Sequence, residues 1–272
     1  MAHKALVIGG FPASGAGGIP VDLRVLQHLG VYGMGAVTCL VSRGTRGESE
    51  IFPIPHKQVE NQLRAALLAA SPGGIKAIKV GLLATDENLH SVAGVLREKI
   101  NCLPSPPPLV LDPVMFFKAG AVTVNKAEVA TLLSETLLPL ATVVTPNLEE
   151  ARALLGAPEK SIWGTEEMLA AAWNLAEKTS GKSALVKGGL RFPGDDAVDV
   201  LVTENREYIW RAPKIGQQPL NGSGCTLAAA ITAHLANGSE LVEAVEKARN
   251  LVRQSLEKPQ QMGTKFNALT LP

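Results

Sequence analysis

Aromatic residues are scarce in this 272-residue sequence, 4% of the total, while apolar residues as a whole reach 46%. A large core is available, and Ala, Val, Leu and Ile must fill it. Charge of one sign is also missing. Lys and Arg number 26 against 25 Asp and Glu, a formal net charge of +1. That balance argues against nucleic acid or an anionic membrane as a general partner, so any anion binding must be local. Cysteine is sparse, with Cys39, Cys102 and Cys225 widely spaced and no Cys-x-x-Cys pair. The odd count and the spacing exclude a disulfide framework or a zinc ribbon and fit a reducing cytosol. No apolar run reaches the ~20 residues of a membrane helix. Met1 to Ile8 leads directly into a strand-like stretch without the features of a signal peptide, so a cytoplasmic location is expected. Internal repeats and low-complexity segments are absent.

What is present is alternation. Ala5 to Ile8 reads as a buried parallel strand ending at Gly9-Gly10. The glycine-rich loop Ser14 to Gly18 follows, then a helix over Ile19 to Leu29 with Gly30 as its stop. Further strands are predicted at Tyr32–Val41, Ile51–Ile54, Ala77–Leu82, Leu109–Leu111, Thr142–Thr145 and Ala184–Lys187. Val198–Val202 and Glu207–Trp210 read as an antiparallel pair. Helices are predicted at Val59–Ala70, Glu87–Lys99, Lys126–Ser134, Leu148–Leu155, Glu166–Lys178, Cys225–Ala236 and Glu240–Leu256. This is the βαβ pattern of one α/β domain over residues 1–272 with a mostly parallel sheet. Ligands on such sheets bind beyond the carboxyl ends of the strands. The residues there are Gly10, Gly81, Asp112, Asn147, Lys187 and the loop before Cys225, a set suited to phosphate and metal.

The strongest motif is Asn221-Gly222-Ser223-Gly224-Cys225-Thr226-Leu227, opening an alanine-rich helix. Glycines at a helix start let consecutive amides converge on an anion, and charge building on a moving phosphate would be stabilised there. A thiol at a helix N-terminus is acidified and can accept a proton from an attacking hydroxyl. The same stretch also reads as a glycine turn before a buried helix with a packed cysteine. Thr145-Pro146-Asn147-Leu148-Glu149-Glu150 reads either as a helix cap or as the edge of a magnesium and phosphate site. Asp112-Pro113-Val114-Met115 places a carboxylate after a buried strand, where it could hold magnesium or simply turn the chain. Lys187-Gly188-Gly189 places a lysine able to reach phosphate. The Ser14–Gly18 loop, with Asp22 one turn into its helix, has no Gly-Lys-Ser/Thr and so is not a P-loop; it reads as a loop that closes on substrate.

Together these blocks resemble the hydroxymethylpyrimidine/phosphomethylpyrimidine kinases of thiamine biosynthesis, within the ribokinase-like superfamily. The resemblance runs in unbroken order from Ala5 to about Ser255. It is carried by Ser14-Gly15 through Asp22, Leu29 to Met34, Lys79 to Leu83, Leu111 to Met115, Leu137 to Ala141, Thr145 to Leu148, Leu185 to Gly189 and Gly222 to Leu227. It implies a three-layer α/β/α sandwich with a small strand flap, and a kinase using ATP and Mg2+ on the hydroxymethyl group of 4-amino-5-hydroxymethyl-2-methylpyrimidine or its monophosphate. By carry-over, Cys225 is the base and Gly222, Ser223, Gly224 and Cys225 supply the anion hole. Asp112 and Glu150 hold magnesium; Thr145, Asn147 and Lys187 face the nucleotide. Gly10, Asp22, Arg43, Gly81, Leu82 and Val114 form the substrate side. A homodimer is expected, as the family tends to form one.

The departures from the family pattern gather on the substrate side. Gly10-Phe11-Pro12 stands where Gly-Ser-Asp is usual, Arg43 where a glutamine contacts the pyrimidine, and Leu82 where methionine is usual; Asn221 replaces a frequent histidine. Arginine cannot accept a hydrogen bond and glutamine can, so Arg43 prefers a carbonyl or an anion. Altered substrate preference with retained phosphoryl transfer is the expectation. The alternatives are a pyridoxal or pyridoxine kinase and a sensor that binds a vitamin precursor without turnover.

Overall fold

The computed structural model describes residues 2–43, 49–71, 74–100, 103–115, 126–158, 164–218, 220–258, 260–261 and 267–272. Cys102 lies outside them. In chain order the described elements are β1 (Lys4–Pro12), α1 (Gly18–His28), β2 (Tyr32–Arg43), β3 (Ser49–Pro53), α2 (His56–Ala69), β4 (Ala77–Val80), α3 (Asp86–Lys99) and β5 (Leu109–Leu111). After them come α4 (Lys126–Thr136), β6 (Val143–Val144), α5 (Leu148–Leu155), α6 (Thr165–Ala176), β7 (Ala184–Lys187), β8 (Asp196–Thr203) and β9 (Arg206–Pro213). The chain closes with α7 (Ser223–Ala236), α8 (Leu241–Leu256), β10 (Gln260–Gln261) and β11 (Asn267–Ala268).

The nine-stranded sheet has the order β3-β2-β1-β4-β5-β6-β7-β8-β9. β1 pairs in parallel with β2 and β4, and β6 in parallel with β7. The margins are antiparallel: β2 with β3 at one side, β7 with β8 and β8 with β9 at the other. This is the mostly parallel three-layer α/β architecture that the alternation predicts. The residues divide into two compact units, one of residues 1–110, 117–123 and 220–272, the other of 111–116 and 124–219.

In the first unit, Ala5 to Ile8 are wholly buried, as an interior parallel strand with apolar residues on both faces requires. α1 and α7 pack on one face through Ile19, Leu26, Ala233 and Ala236, joined by Val31 just before β2, against Ala5, Val7 and Ala77. α7 is apolar all round, with Thr226 to Ala233 buried without a break, the signature of a helix enclosed by its neighbours. α8 is amphipathic and buries Ala244, Val245, Ala248, Leu251 and Ser255 on one stripe. In the second unit, α5 ends at Gly156 with φ 63°, a left-handed cap that glycine adopts without a steric penalty. Buried Val198, Val200, Leu201 and Val202 of β8 complete that unit's interior.

Several predicted boundaries need correction: α2 begins at His56 and not Val59, β4 ends at Val80 and not Leu82, and β9 runs to Pro213 and not Trp210. β1 does not stop at Ile8 but runs on to Pro12, so Gly10 and Phe11 are strand residues and not loop residues. A register shift between Gly9 and Gly10 absorbs the extra length. A Cβ on Gly10 would come within 2.9 Å of both Cys39 Sγ and Leu82 Cδ2, so only glycine lets the strand continue there. β2 likewise extends past Val41 to Arg43, paired with Ser49 across the antiparallel edge.

Candidate active site

The residues picked out in the sequence fall into two sets, one in each unit. In the first unit the Asn221–Leu227 motif forms a helix start. Gly222 is the N-cap with φ 89°. A Cβ on it would lie 2.5 Å from the Ala16 carbonyl oxygen, so the glycine is required both by its backbone angle and by the close passage of the Ser14–Gly18 loop. α7 begins at Ser223, two residues before the predicted start, because Thr226 N–H already donates to Gly222 O at 2.7 Å. Ser223 and Gly224 are therefore the first two helical residues, whose amides lack acceptors inside the helix. Cys225 is third and half-buried.

The substrate-side residues of this unit are placed by β1, β2 and β4. Gly81 N–H donates to Ile8 O at 2.8 Å, holding the chain against β1 after β4 ends. Leu82 O accepts from the Thr38 hydroxyl at 2.6 Å. Asn88 is wholly buried and its Nδ2 lies 3.1 Å from each of Thr38 O, Ile54 O and Leu83 O. Its two N–H groups are thus shared among three carbonyls, tying β2 to the connections after β3 and β4. Arg43 closes β2; its side chain lies outside the described part. Burial pushes the neighbouring Cys39 thiol up to about 11, which keeps it protonated and chemically quiet at neutral pH.

Asp22 does not behave as an exposed first-turn acid. It is 1% exposed and accepts from Lys79 Nζ at 2.6 Å, Lys79 being equally buried. The Lys79 ammonium lies 3.7 Å from where a Cβ on Gly81 would stand. The sequence reading overlooked Lys79, although a lysine inside the apolar run Ala77-Ile78-Lys79-Val80 was a signal that a buried acid awaited it.

Past Leu82 the backbone is strained. Ala84 has φ 71° and Thr85 N–H donates to Leu83 O at 3.0 Å, which together define a γ-turn of the disfavoured hand. Replacing Ala84 with glycine should relieve ~1–2 kcal/mol of steric cost against ~0.5–1 kcal/mol of added chain entropy. A higher urea midpoint at unchanged slope is the expected result; a lower midpoint would show that the turn carries no strain.

In the second unit, β5, β6 and β7 deliver a compact polar set. Asp112 is buried, and its Oδ1 accepts from Lys187 Nζ at 3.1 Å and the Thr145 hydroxyl at 3.4 Å. Thr145 N–H donates to Leu111 O at 2.9 Å and Lys187 N–H to Pro146 O at 2.9 Å, so the strand ladder itself fixes these side chains. Val114 N–H donates to Asp112 O at 2.8 Å, turning the chain after the carboxylate. Asn147 and Glu150 form the full capping box of α5: Asn147 Oδ1 accepts from the Glu149 and Glu150 amides, and Glu150 Oε2 accepts from the Asn147 amide at 2.8 Å. The cap reading of this motif is therefore correct, and it coexists with proximity to Asp112 and Lys187.

Burial pushes the Glu150 carboxyl up to about 7; Lys187 pulls it down, and Asp112 pushes it further up. A carboxyl whose folded pKa is raised adds stability below its unfolded value near 4.5, and loses that contribution as pH rises toward 7. The metal-free protein should thus become easier to unfold with urea between pH 4.5 and 7, and Glu150→Gln should flatten that slope. An unchanged slope in the variant would assign it to other groups.

Asp112 and Glu150 fit magnesium by donor chemistry. Magnesium takes oxygen ligands, often only one or two carboxylates with water and phosphate completing the shell. No cluster of three or more His, Cys, Asp or Glu side chains suited to a metal occurs among the described residues, so an all-protein metal cage is not what this set offers. Nor is any described helix long and apolar enough to cross a membrane.

Residues 12–270 match the phosphomethylpyrimidine kinase family. The chain belongs to this family of phosphotransferases. It is 34% identical over 259 residues to a hydroxymethylpyrimidine/phosphomethylpyrimidine kinase of Staphylococcus aureus, covering 95% of this chain and 90% of that one. It is 35% identical over 277 residues to a pyridoxine kinase of Bacillus subtilis, covering 99% and 97%. Among solved structures it superimposes on the Staphylococcus aureus pyridoxal kinase in complex with AMP-PCP and pyridoxal, with TM-score 0.87 and 31% identity over 99% of this chain and 93% of that one. The vitamin-kinase resemblance read from the motifs is thereby established, and with it a catalytic role over a binding-only one.

Proposed function

We propose that the chain transfers a phosphoryl group from ATP, with magnesium, to the hydroxymethyl group of 4-amino-5-hydroxymethyl-2-methylpyrimidine, to its monophosphate, or to both. The observation that supports this reading is the helix start at Gly222, a left-handed glycine followed by Ser223, Gly224 and Cys225 in the first turn of α7, where the Ser223 amide is held only by a long 3.5 Å contact to Leu220 O. The Cys225 sulfur accepts the proton of the attacking hydroxyl, and the Ser223 and Gly224 amides receive the charge of the moving phosphate. Asp112 and Glu150 organise magnesium, which when bound neutralises phosphate charge. Lys187, Thr145 and Asn147 orient the nucleotide, while Gly10, Asp22, Arg43, Gly81, Leu82 and Val114 shape the pocket for the alcohol. Asp22 acts there through Lys79, its ion-pair partner. A cytoplasmic homodimer working as one domain per chain belongs to the same reading, and light scattering at twice the chain mass is expected.

A second substrate class has specific support. A pyridine alcohol, pyridoxal or pyridoxine, fits the similarity to the two kinases of that name and the substrate-side substitutions Phe11, Arg43 and Leu82. An ATP-consumption assay with magnesium over hydroxymethylpyrimidine, its monophosphate, pyridoxal and pyridoxine decides. Turnover led by the pyrimidines supports the first reading. Turnover led by a pyridine transfers the assignment to the second. No turnover on any of the four by folded, nucleotide-binding protein rejects both.

A further inference from the structure

A cavity of about 300 Å³ opens in the first unit beside α1 and α7, against the loop that follows β1. Its walls are Ser14 and Gly15 of the glycine-rich loop, Val21 and Val25 of α1, Thr226 of α7, and the C-terminal Leu269 and Leu271. Among the described lining residues the charged one is Arg24, an exposed side chain. One guanidinium N–H is engaged by Gly15 O, which leaves the rest of the planar fork, with its five N–H groups in all, for a ligand. The Ser14 oxygen accepts from the Ala16 amide at 3.3 Å, so its own hydrogen remains to donate. The Arg24 guanidinium and the Ser14 hydroxyl, with apolar Val21, Val25 and Leu269 on the same lining, describe a container for a compact anion with an apolar body. Its volume is at the small end of ligand sites.

Both the loop wall and the C-terminal wall reach the helix start. The loop wall continues into Ala16, whose carbonyl lies against Gly222 so closely that a Cβ there would stand 2.5 Å away. The C-terminal wall is tied to Asn221 by a parallel bridge at Ala268 and by Leu269 N–H donating to Asn221 O at 3.3 Å. A molecule held between the two walls therefore touches both segments that brace Asn221-Gly222.

We infer that this cavity is a second ligand site, binding a small organic phosphate or carboxylate through Arg24 and Ser14, and that its occupancy is coupled to anion binding at Gly222–Cys225. The coupling half rests on the phosphoryl-transfer reading of that helix start; the binding half does not. Coupling of two sites is reciprocal in affinity, and the shared braces give it a positive sign.

Isothermal calorimetry on the full chain tests both halves with phenyl phosphate, benzoate, inorganic phosphate and benzyl alcohol as probes. Saturable binding of phenyl phosphate or benzoate is expected, weakened at least tenfold in Arg24→Gln and in Leu271→Trp, which fills the cavity from its C-terminal wall. Benzyl alcohol, lacking the charge, should bind at least tenfold more weakly than benzoate. The ratio of phenyl phosphate to benzoate affinity assigns the anion class. Absence of saturation at millimolar probe, or equal binding by Arg24→Gln, overturns the site. AMP-PCP affinity should rise two- to tenfold in the presence of saturating probe; an unchanged affinity removes the coupling and leaves the binding result standing by itself. Because AMP-PCP and the probes bind without turnover, a failed kinase assay and a failed cavity are told apart.

Discussion

Cys225→Ala should lower the rate of the chemical step by about 10²–10⁴-fold, the range for loss of a positioned general base. That corresponds to ~3–5 kcal/mol of transition-state stabilisation at 1.36 kcal/mol per factor of ten. The expectation rests on position. The thiol sits third in α7, half-buried, behind the left-handed Gly222, where the helix dipole favours a thiolate. Alanine keeps the helix and the Ser223 and Gly224 amides, so nucleotide affinity should stay within about twofold while kcat falls. The pH profile separates base from bystander. If Cys225 takes the proton, the rising limb of kcat/KM in the wild type disappears in Cys225→Ala. A loss below tenfold with that limb intact would leave the anion-binding amides as the whole contribution.

Lys79→Met should cost ~3–5 kcal/mol of folding stability, because it strands a buried carboxylate. Both charges of the Asp22–Lys79 pair are 1% exposed and 2.6 Å apart, and Lys79 heads the fully buried side chains by size. Methionine matches the lysine stem in length and leaves Asp22 without its ammonium. Asp22→Leu together with Lys79→Met should recover most of the loss, since a well-packed apolar pair often equals or exceeds a buried ion pair in stability. The informative measurement joins urea unfolding of the double variant to its kinetics. Restored stability with a raised KM for the alcohol would mean that the pair is kept for placing Gly81 and Leu82. Restored stability with wild-type kinetics would make it a packing element alone. A double variant no more stable than Lys79→Met would show that other groups, and not the pair, set the cost.

The fold was legible because its signals are local. Apolar runs such as Ala5–Ile8 and Leu109–Leu111, buried on both faces, mark interior strands wherever the rest of the chain goes. Asn147 and Glu150 announce a helix start at three-residue spacing, and the structure supplies both halves of the box. The helix start at Gly222 was equally readable, since a glycine-rich turn before an alanine-rich run has few other conformations. What escaped reading depends on distant partners. The β1 extension through Pro12 follows from the close approach of Cys39 and Leu82 to Gly10, neither of which is near it in sequence. The Asp22–Lys79 pair spans 57 residues, so the apolar run around Lys79 signals a buried charge without naming its partner. The Ala84 turn carries no glycine to betray it, and hydrogen bonds to Leu83 O from the Thr85 amide and the Asn88 side chain brace it.

The unbroken burial of Thr226 to Ala233 on α7 has a consequence for how such an enzyme diversifies. Ala228, Ala229 and Ala230 have 0% exposure, and any larger side chain there would have to displace a neighbouring helix or strand. The thiol and its amides are thus delivered by a segment that mutation can hardly retune. Phe11, 41% exposed on β1, and Leu40, 48% exposed beside it on β2, sit on strand ends where replacement disturbs little packing. On the proposed assignment, the thiol and the substrate-side positions thus differ, within the same unit, in how freely they accept substitution.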